Sequence, residues 1–203
     1  MLTLVLDSCG SSCNVGIWQD GMMLARAEEN MERGQDARLL PLALSVLEES
    51  GKTFSDLDRI AVTRGPGSFT GVRVCLAAAR GIGIAAGKPV IGIDRFSIYA
   101  RCAKAQKNLL VVIESKRAEL FCRFFPVQAA PLDACMMTQN EIDAFLELHP
   151  GTEIAGDKAS TDMDILSACA EIAAQASPHD AAFLPQPLYL RPPDVTMPAK
   201  STA

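Results

Sequence analysis

Apolar residues fall into short β-rich runs near the start of the chain and into helical spacing further on. The runs 2–8, 14–18 and 22–28 are separated by Gly10-Ser11-Ser12 and by Gln19-Asp20-Gly21. An Asp-Gly pair between two such runs is a hairpin signal, so three antiparallel strands are expected. From Asp36 to Ser50, Leu40, Ala43, Leu44 and Leu47 recur at helical spacing, with Leu42 and Val46 between them and Gly51 as a stop. This helix is apolar on more than one face. Proline is harmless in a first turn, so Pro41 puts the regular start near Leu40. A strand at Arg59–Thr63 leads through a glycine loop to a helix at about 70–86, then to the stop Gly87-Lys88-Pro89 and a strand at Val90–Ile93. The order is βββαβαβ.

In the second half the pattern gives strands at Leu109–Ile113 and 119–125. A helix follows, capped by Thr138 with Glu141 three residues on, then a strand at 153–155 and a helix at 162–175. Twelve of the 14 glycines lie at or before residue 92, while six of the 12 prolines follow residue 177. That shift divides the chain into a first α/β lobe at 1–100, a smaller second lobe at 101–184 and an extended tail at 185–203. No fixed-period repeat, low-complexity tract or charge block interrupts it.

Composition narrows the function classes. With 49% hydrophobic and 21% charged residues in 203, the chain can bury a real core, which argues against wholesale disorder. Nineteen Lys and Arg against 24 Asp and Glu leave a net charge of -5, a poor balance for a self-sufficient nucleic-acid binder. Seven cysteines without a CxxC pair suit free thiols in a reducing cytoplasm, with Cys9 and Cys13 the only close pair. The apolar run 2–6 has no basic flank and stops at Asp7, too short for a signal peptide. The longest later apolar stretch is interrupted by Arg80 and Lys88, short of a membrane span. A cytoplasmic chain with no membrane contact is expected.

The sharpest chemical signal is Arg64-Gly65-Pro66-Gly67-Ser68-Phe69-Thr70-Gly71-Val72-Arg73, a loop that leaves a strand and enters a helix. Its glycines would let backbone N–H groups approach a phosphate at a helix N-terminus, with Asp7, Gly65, Gly67 and Ser68 as the candidate remnant site. The spacing GxGxxxG matches neither the dinucleotide pattern nor the P-loop, so a tight structural turn stands as the other reading. The next helix is thin, with Ala77, Ala78, Ala79, Gly81, Gly83, Ala85 and Ala86, and its charges are Arg73 and Arg80. Each interior glycine costs about 1 kcal/mol against alanine, which close approach of another element would offset. Two readings are open: tight packing on its own sheet, or an association surface. The surface would use Leu40, Ala43, Leu44 and Leu47 with Phe69, Thr70, Gly71, Arg73, Ala77, Ala78, Arg80 and Gly81. His149 and His179 share no ligand spacing, so no metal site is expected. Glu114, Lys116, Arg117 and Glu119 read as a solvated hairpin turn.

Residues 65–73 resemble the signature of the TsaB (YeaZ) family, dimerisation subunits of the bacterial tRNA threonylcarbamoyladenosine machinery. Leu4-Val5-Leu6-Asp7-Ser8, Arg38-Leu39-Leu40-Pro41, Pro89-Val90-Ile91-Gly92-Ile93 and Pro187-Leu188-Tyr189-Leu190-Arg191 are similar to further family segments. Residues 114–121 resemble an Asp-Ala-Arg-x-x-Glu-x-Tyr pattern with Glu, Ser and Phe substituted. The resemblance implies an actin-like fold of the Hsp70 and sugar-kinase superfamily in two small α/β lobes. It also implies a non-catalytic scaffold for a TsaD-like threonylcarbamoyltransferase, with a TsaE-like ATPase as a further partner. A homodimer is expected when the partner is missing, and tRNA is met only through the complex.

The implied catalytic partner holds its metal with two histidines four residues apart, where this chain reads Asp94-Arg95-Phe96-Ser97-Ile98-Tyr99-Ala100. No cofactor of its own is therefore expected, and ATP or ADP and the metal fall to the partner or complex. Many relatives carry a histidine where this chain has Gln35. Two other classes remain open. One is an autonomous ATPase or small-molecule kinase using Asp7 and the glycine loop, with Ala155-Gly156-Asp157 as its thin adenosine site. The other is a purely self-associating protein.

Overall fold

A computed structural model describes residues 1–157 and 164–190. The first sheet grows from β1 (Leu2–Asp7), buried along its whole length. β2 (Ser12–Gln19) pairs with it antiparallel, and β3 (Met22–Asn30) pairs antiparallel with β2. The β2–β3 turn has both Asp20 and Gly21 at positive φ, the backbone that an Asp-Gly hairpin requires. β4 (Arg59–Thr63) and β5 (Val90–Ile93) then join in parallel, giving the order β3-β2-β1-β4-β5.

Alternation along these strands separates two layers. Leu4, Leu6, Ile60 and Val62 face α1 (Gln35–Glu49) and α2 (Phe69–Ala86), whereas Val5, Ala61 and Ile91 face the opposite side. On that side lies α5 (Ile165–Gln175), late in sequence but packed on the first sheet through Leu166, Ala168, Cys169 and Ala173. The second sheet has the order β8-β7-β6-β9, from β6 (Leu109–Ile113), β7 (Leu120–Phe125), β8 (Cys135–Met137) and β9 (Glu153–Gly156). Its outer face is covered by Ile142 of α4 (Gln139–Leu148), whose Thr138–Glu141 capping box forms as read from sequence. The joint between the sheets is α3 (Arg95–Ala103): Ile98 packs toward the first, Phe96 and Tyr99 toward the second.

Three local readings need correction. α1 starts at Gln35, five residues before the start inferred from Pro41, which sits inside the helix. Pro41 and Ala37, whose carbonyl the missing N–H would have met, are both exposed, so the lost helix bond falls on the solvent side, where it costs least. α3 and β8 were not expected at all, although Asp94 caps α3 by accepting the Ser97 N–H at 2.9 Å. The helix expected from 162 begins at Ile165 behind the cap Asp164; positions 162–163 and 191–203 of the tail lie outside the described residues.

By length and apolar composition α2 would suffice to cross a bilayer. It lies instead on the first sheet, with Val72, Cys75, Leu76, Ala79 and Ile82 buried and with Arg73 and Arg80 exposed on the other side.

Candidate functional site

The glycine loop is used for packing. A Cβ at Gly67 would lie 2.2 Å from the Cys9 carbonyl oxygen, and one at Gly71 only 1.9 Å from that of Ser8. The Ser68 N–H donates to the Cys9 carbonyl at 2.8 Å, the Ser8 hydroxyl to the Gly71 carbonyl at 2.9 Å, and Ser68 caps α2 by accepting the Gly71 N–H. Gly65, at positive φ, accepts the Arg95 N–H at 2.8 Å. Of the two readings for this loop, the geometry fits the tight turn, with the glycines at 67 and 71 spent on the β1 end. Asp7 is buried beneath it and absent from the cleft wall. Its carboxylate accepts from the Thr63 hydroxyl at 2.5 Å, the Cys9 N–H at 3.1 Å and the Asn14 amide at 3.5 Å.

Between the lobes runs a cleft of about 610 Å³. One wall carries Gly67, Ser68, Phe69 and Thr70 at the head of α2; the other carries Glu114, Ser115, Lys116 and Arg117 of the β6–β7 connection. That connection is the solvated turn read from sequence, with Glu114, Lys116 and Arg117 exposed, and it also forms a cleft wall. Arg95 and Asp157 also line it, and sequence reasoning missed their pairing. The buried Arg95 guanidinium donates to Asp157 Oδ1 at 2.7 Å and to the Tyr99 hydroxyl at 2.9 Å. The Tyr99 hydroxyl donates to the same Asp157 oxygen, while Asp157 Oδ2 accepts the Glu114 N–H at 2.9 Å. Desolvation works against the Arg95 charge, but the surrounding groups, with Asp157 and Asp7 as the carboxylates among them, outweigh it and hold the guanidinium more firmly protonated. Burial foremost pushes the Tyr99 phenol up.

At positions 95 and 99, four apart on α3, stand a guanidinium that cannot coordinate a cation and a phenol held neutral. Among the described residues no group of three or more His, Cys, Asp or Glu converges as a metal site. His149 stacks on Phe145 with centroids 4.1 Å apart, away from the cleft.

The thiols near β1 are held neutral. Burial, and then the Asp7 charge, push Cys9 up to about 12; burial foremost raises Cys75 and Cys169 and lifts Cys13 to about 11. An ordinary thiol at 9.0 ionises first in the unfolded chain. Between pH 9 and the raised folded values the native state thus binds more protons, and stability falls as pH rises. Urea unfolding is expected to give an unfolding free energy flat below pH 8 and dropping above 9, by roughly 1.4 kcal/mol per pH unit for each such thiol. Cys9→Ala should shallow that slope by one proton; a profile level to pH 10.5 would refute this account.

A second candidate surface lies on the outer side of α1 and α2. Leu40, Leu44, Phe69, Thr70, Arg73, Ala77, Arg80 and Gly81 are exposed there, Leu44 at 57%, and Ala78 is half-buried. Ala43, Leu47 and Gly71 do not belong to it: the helical pitch turns Ala43 and Leu47 into the core, and Gly71 is pressed on Ser8. Ile84, 84% exposed, extends the apolar strip, which the spacing argument had left out. At one end Phe69 stacks on Tyr189 with centroids 5.3 Å apart, and the Arg73 guanidinium lies 5.1 Å from the Phe69 centroid. Tyr189 arrives on a strap that crosses the strand ends of the first lobe. Its Leu188 N–H donates to the Arg64 carbonyl at 2.8 Å, its Pro185 carbonyl accepts from Arg80, and Leu184 presses against Gly92.

Two small α/β lobes, with an interlobe cleft at the strand ends, define an actin-like fold. Solved structures from Pseudomonas aeruginosa share it. One, described as similar to peptidase YEAZ, superposes with a TM-score of 0.72 at 24% identity, covering 94% of this chain and 99% of that one. A second, YeaZ, gives 0.71 at 22% identity, covering 93% and 99%. Residues 29–184 match the family model described as TsaD: tRNA N6-adenosine threonylcarbamoyltransferase, and the chain belongs to that family as a TsaB (YeaZ) member. It is 32% identical over 124 residues to the tRNA threonylcarbamoyladenosine biosynthesis protein TsaB of Escherichia coli, covering 60% of this chain and 53% of that protein. It is also 44% identical over 68 residues to the tRNA N6-adenosine threonylcarbamoyltransferase of Erythrobacter litoralis, 34% of this chain and 20% of that one. The chain spans about half the length of the curated TsaB relatives it matches.

Proposed function

We propose that this protein is a non-catalytic subunit that docks on a TsaD-like transferase and supports threonylcarbamoyl transfer to the adenosine beside the tRNA anticodon. The observation that carries the reading is the outer α1/α2 face, where Leu40, Leu44 and Ile84 are exposed beside the small residues Ala77 and Gly81. Apolar side chains next to small ones give both area to bury, at roughly 25 cal/mol per Å², and close helix approach. A second copy takes the same face when the transferase is absent, a TsaE-like ATPase joins the assembly, and tRNA is met through the complex. ATP or ADP and the metal reside in the partner or complex, and the setting is cytoplasmic. Asp7 supports the absence of turnover, since its oxygens already accept three hydrogen bonds under the loop.

Depletion of the protein from its host is expected to lower threonylcarbamoyladenosine in tRNA several-fold by mass spectrometry, with threonylcarbamoyl adenylate still formed. Unchanged nucleoside levels would sink the proposal. So would robust ATP turnover by the purified chain that vanishes in Asp7→Ala.

A further inference from the structure

We infer that the Arg95 guanidinium is a resident cation joining the two lobes at the cleft floor, so that closure of this cleft depends on no dissociable ligand. Arg95 follows β5 of the first sheet, whereas Asp157 follows β9 of the second. Both residues stand at strand ends, where an α/β cleft ordinarily takes its ligand. The guanidinium bridges them within one chain. Its Nη2 donates to Asp157 Oδ1 at 2.7 Å, its Nη1 to the Pro66 carbonyl at 3.3 Å, and its main-chain N–H to Gly65 at 2.8 Å. Asp157 is fixed from its own side by the Glu114 N–H at 2.9 Å and by its own N–H on the Val112 carbonyl at 3.2 Å. Tyr99, one turn along α3, donates to the same carboxylate and keeps it from turning away.

The charge arithmetic fits a resident cation. The guanidinium lies within electrostatic reach of two carboxylates, Asp7 from the first lobe and Asp157 from the second. A mobile cation between lobes would meet the same two groups. Arg95 is 5% exposed, and its Nε has no partner, so the side chain is held by its fork alone. Arginine does not lose its proton at any working pH, and a tethered charge cannot diffuse away. A chain so built stays closed without loading, which the docking reading above neither needs nor supplies.

Hydrogen exchange by mass spectrometry on the full chain tests this, together with melting temperature in EDTA and in 1 mM MgCl₂ or ZnCl₂. In Arg95→Met the Glu114 amide is expected to exchange at least about tenfold faster, because Asp157, left without its guanidinium, no longer holds that N–H in place. Should Arg95→Met fail to fold, Arg95→Lys, which keeps charge but sheds the fork, is expected to give a smaller rise at the same amide. The wild-type melting temperature should not respond to chelator or cation. Arg95→His with Tyr99→His sets two imidazoles four apart on one helix face beside Asp157, and ZnCl₂ should raise its melting temperature by several degrees. Wild-type exchange at Glu114 in the folded Arg95 variants would overturn the inference. So would divalent-cation stabilisation of the unaltered protein, or a double variant indifferent to zinc.

Discussion

One methyl group at position 71 is expected to unfold the first lobe: Gly71→Ala should lose about 3 kcal/mol or more of stability, or yield no folded protein. The added Cβ would stand 1.9 Å from the Ser8 carbonyl oxygen, and both sides of that contact are backbone. No flexible side chain can yield. Relief requires moving the first turn of α2 or the end of β1, and the second choice strips Asp7 of its Thr63 and Cys9 bonds. The same substitution one helix face away has the opposite sign. Gly81 has nothing within 4 Å of its Cβ position, so Gly81→Ala should stabilise by about 0.5–1 kcal/mol through helix propensity. Urea unfolding of the two variants beside the parent checks both, and equal midpoints for Gly71→Ala and the parent would refute the steric argument.

The second large effect is on association. Leu44→Arg is expected to weaken binding to a TsaD-like partner about a hundredfold, while the melting temperature shifts by no more than about 1 °C. Leu44 is 57% exposed, so arginine is accommodated in the free protein, and the loss arises when a charge must be buried between helices. Self-association of the isolated chain should fall in parallel, because the same proposed face serves both. Analytical ultracentrifugation gives both constants. A folded Leu44→Arg protein that binds at parental strength would move the docking face elsewhere.

How much of this was legible before the structure depends on the range of the interaction. Asp20-Gly21, the Thr138–Glu141 box and the Gly87 stop are local devices, and each lies where the sequence puts it. Local rules misled at Pro41, because a tolerated proline on an exposed face looks the same as a proline at a helix start. They also put Ala43 and Leu47 on the association surface, although both are buried in the core, since a helix apolar on two faces has no phase to read. The Arg95–Asp157 bridge spans 62 residues, and neither end carries a motif for the other. The signal nearest to it was the four-residue spacing of Arg95 and Tyr99 behind a capping aspartate, which marks one helix face but not its target. The return of α5 to the first sheet was equally hidden, because its apolar face fits any sheet of similar width.

That return, with the strap from Leu184 to Tyr189, has a consequence for synthesis on the ribosome. The first sheet is translated first, yet Val5, Ala61 and Ile91 gain their cover only when residues 165–176 emerge, and Arg64 meets Leu188 later still. At about 5–20 residues per second, several seconds separate β5 from that cover. For that interval one side of the sheet is an apolar surface that chaperones can hold. The lobe that begins the chain is the last to be finished.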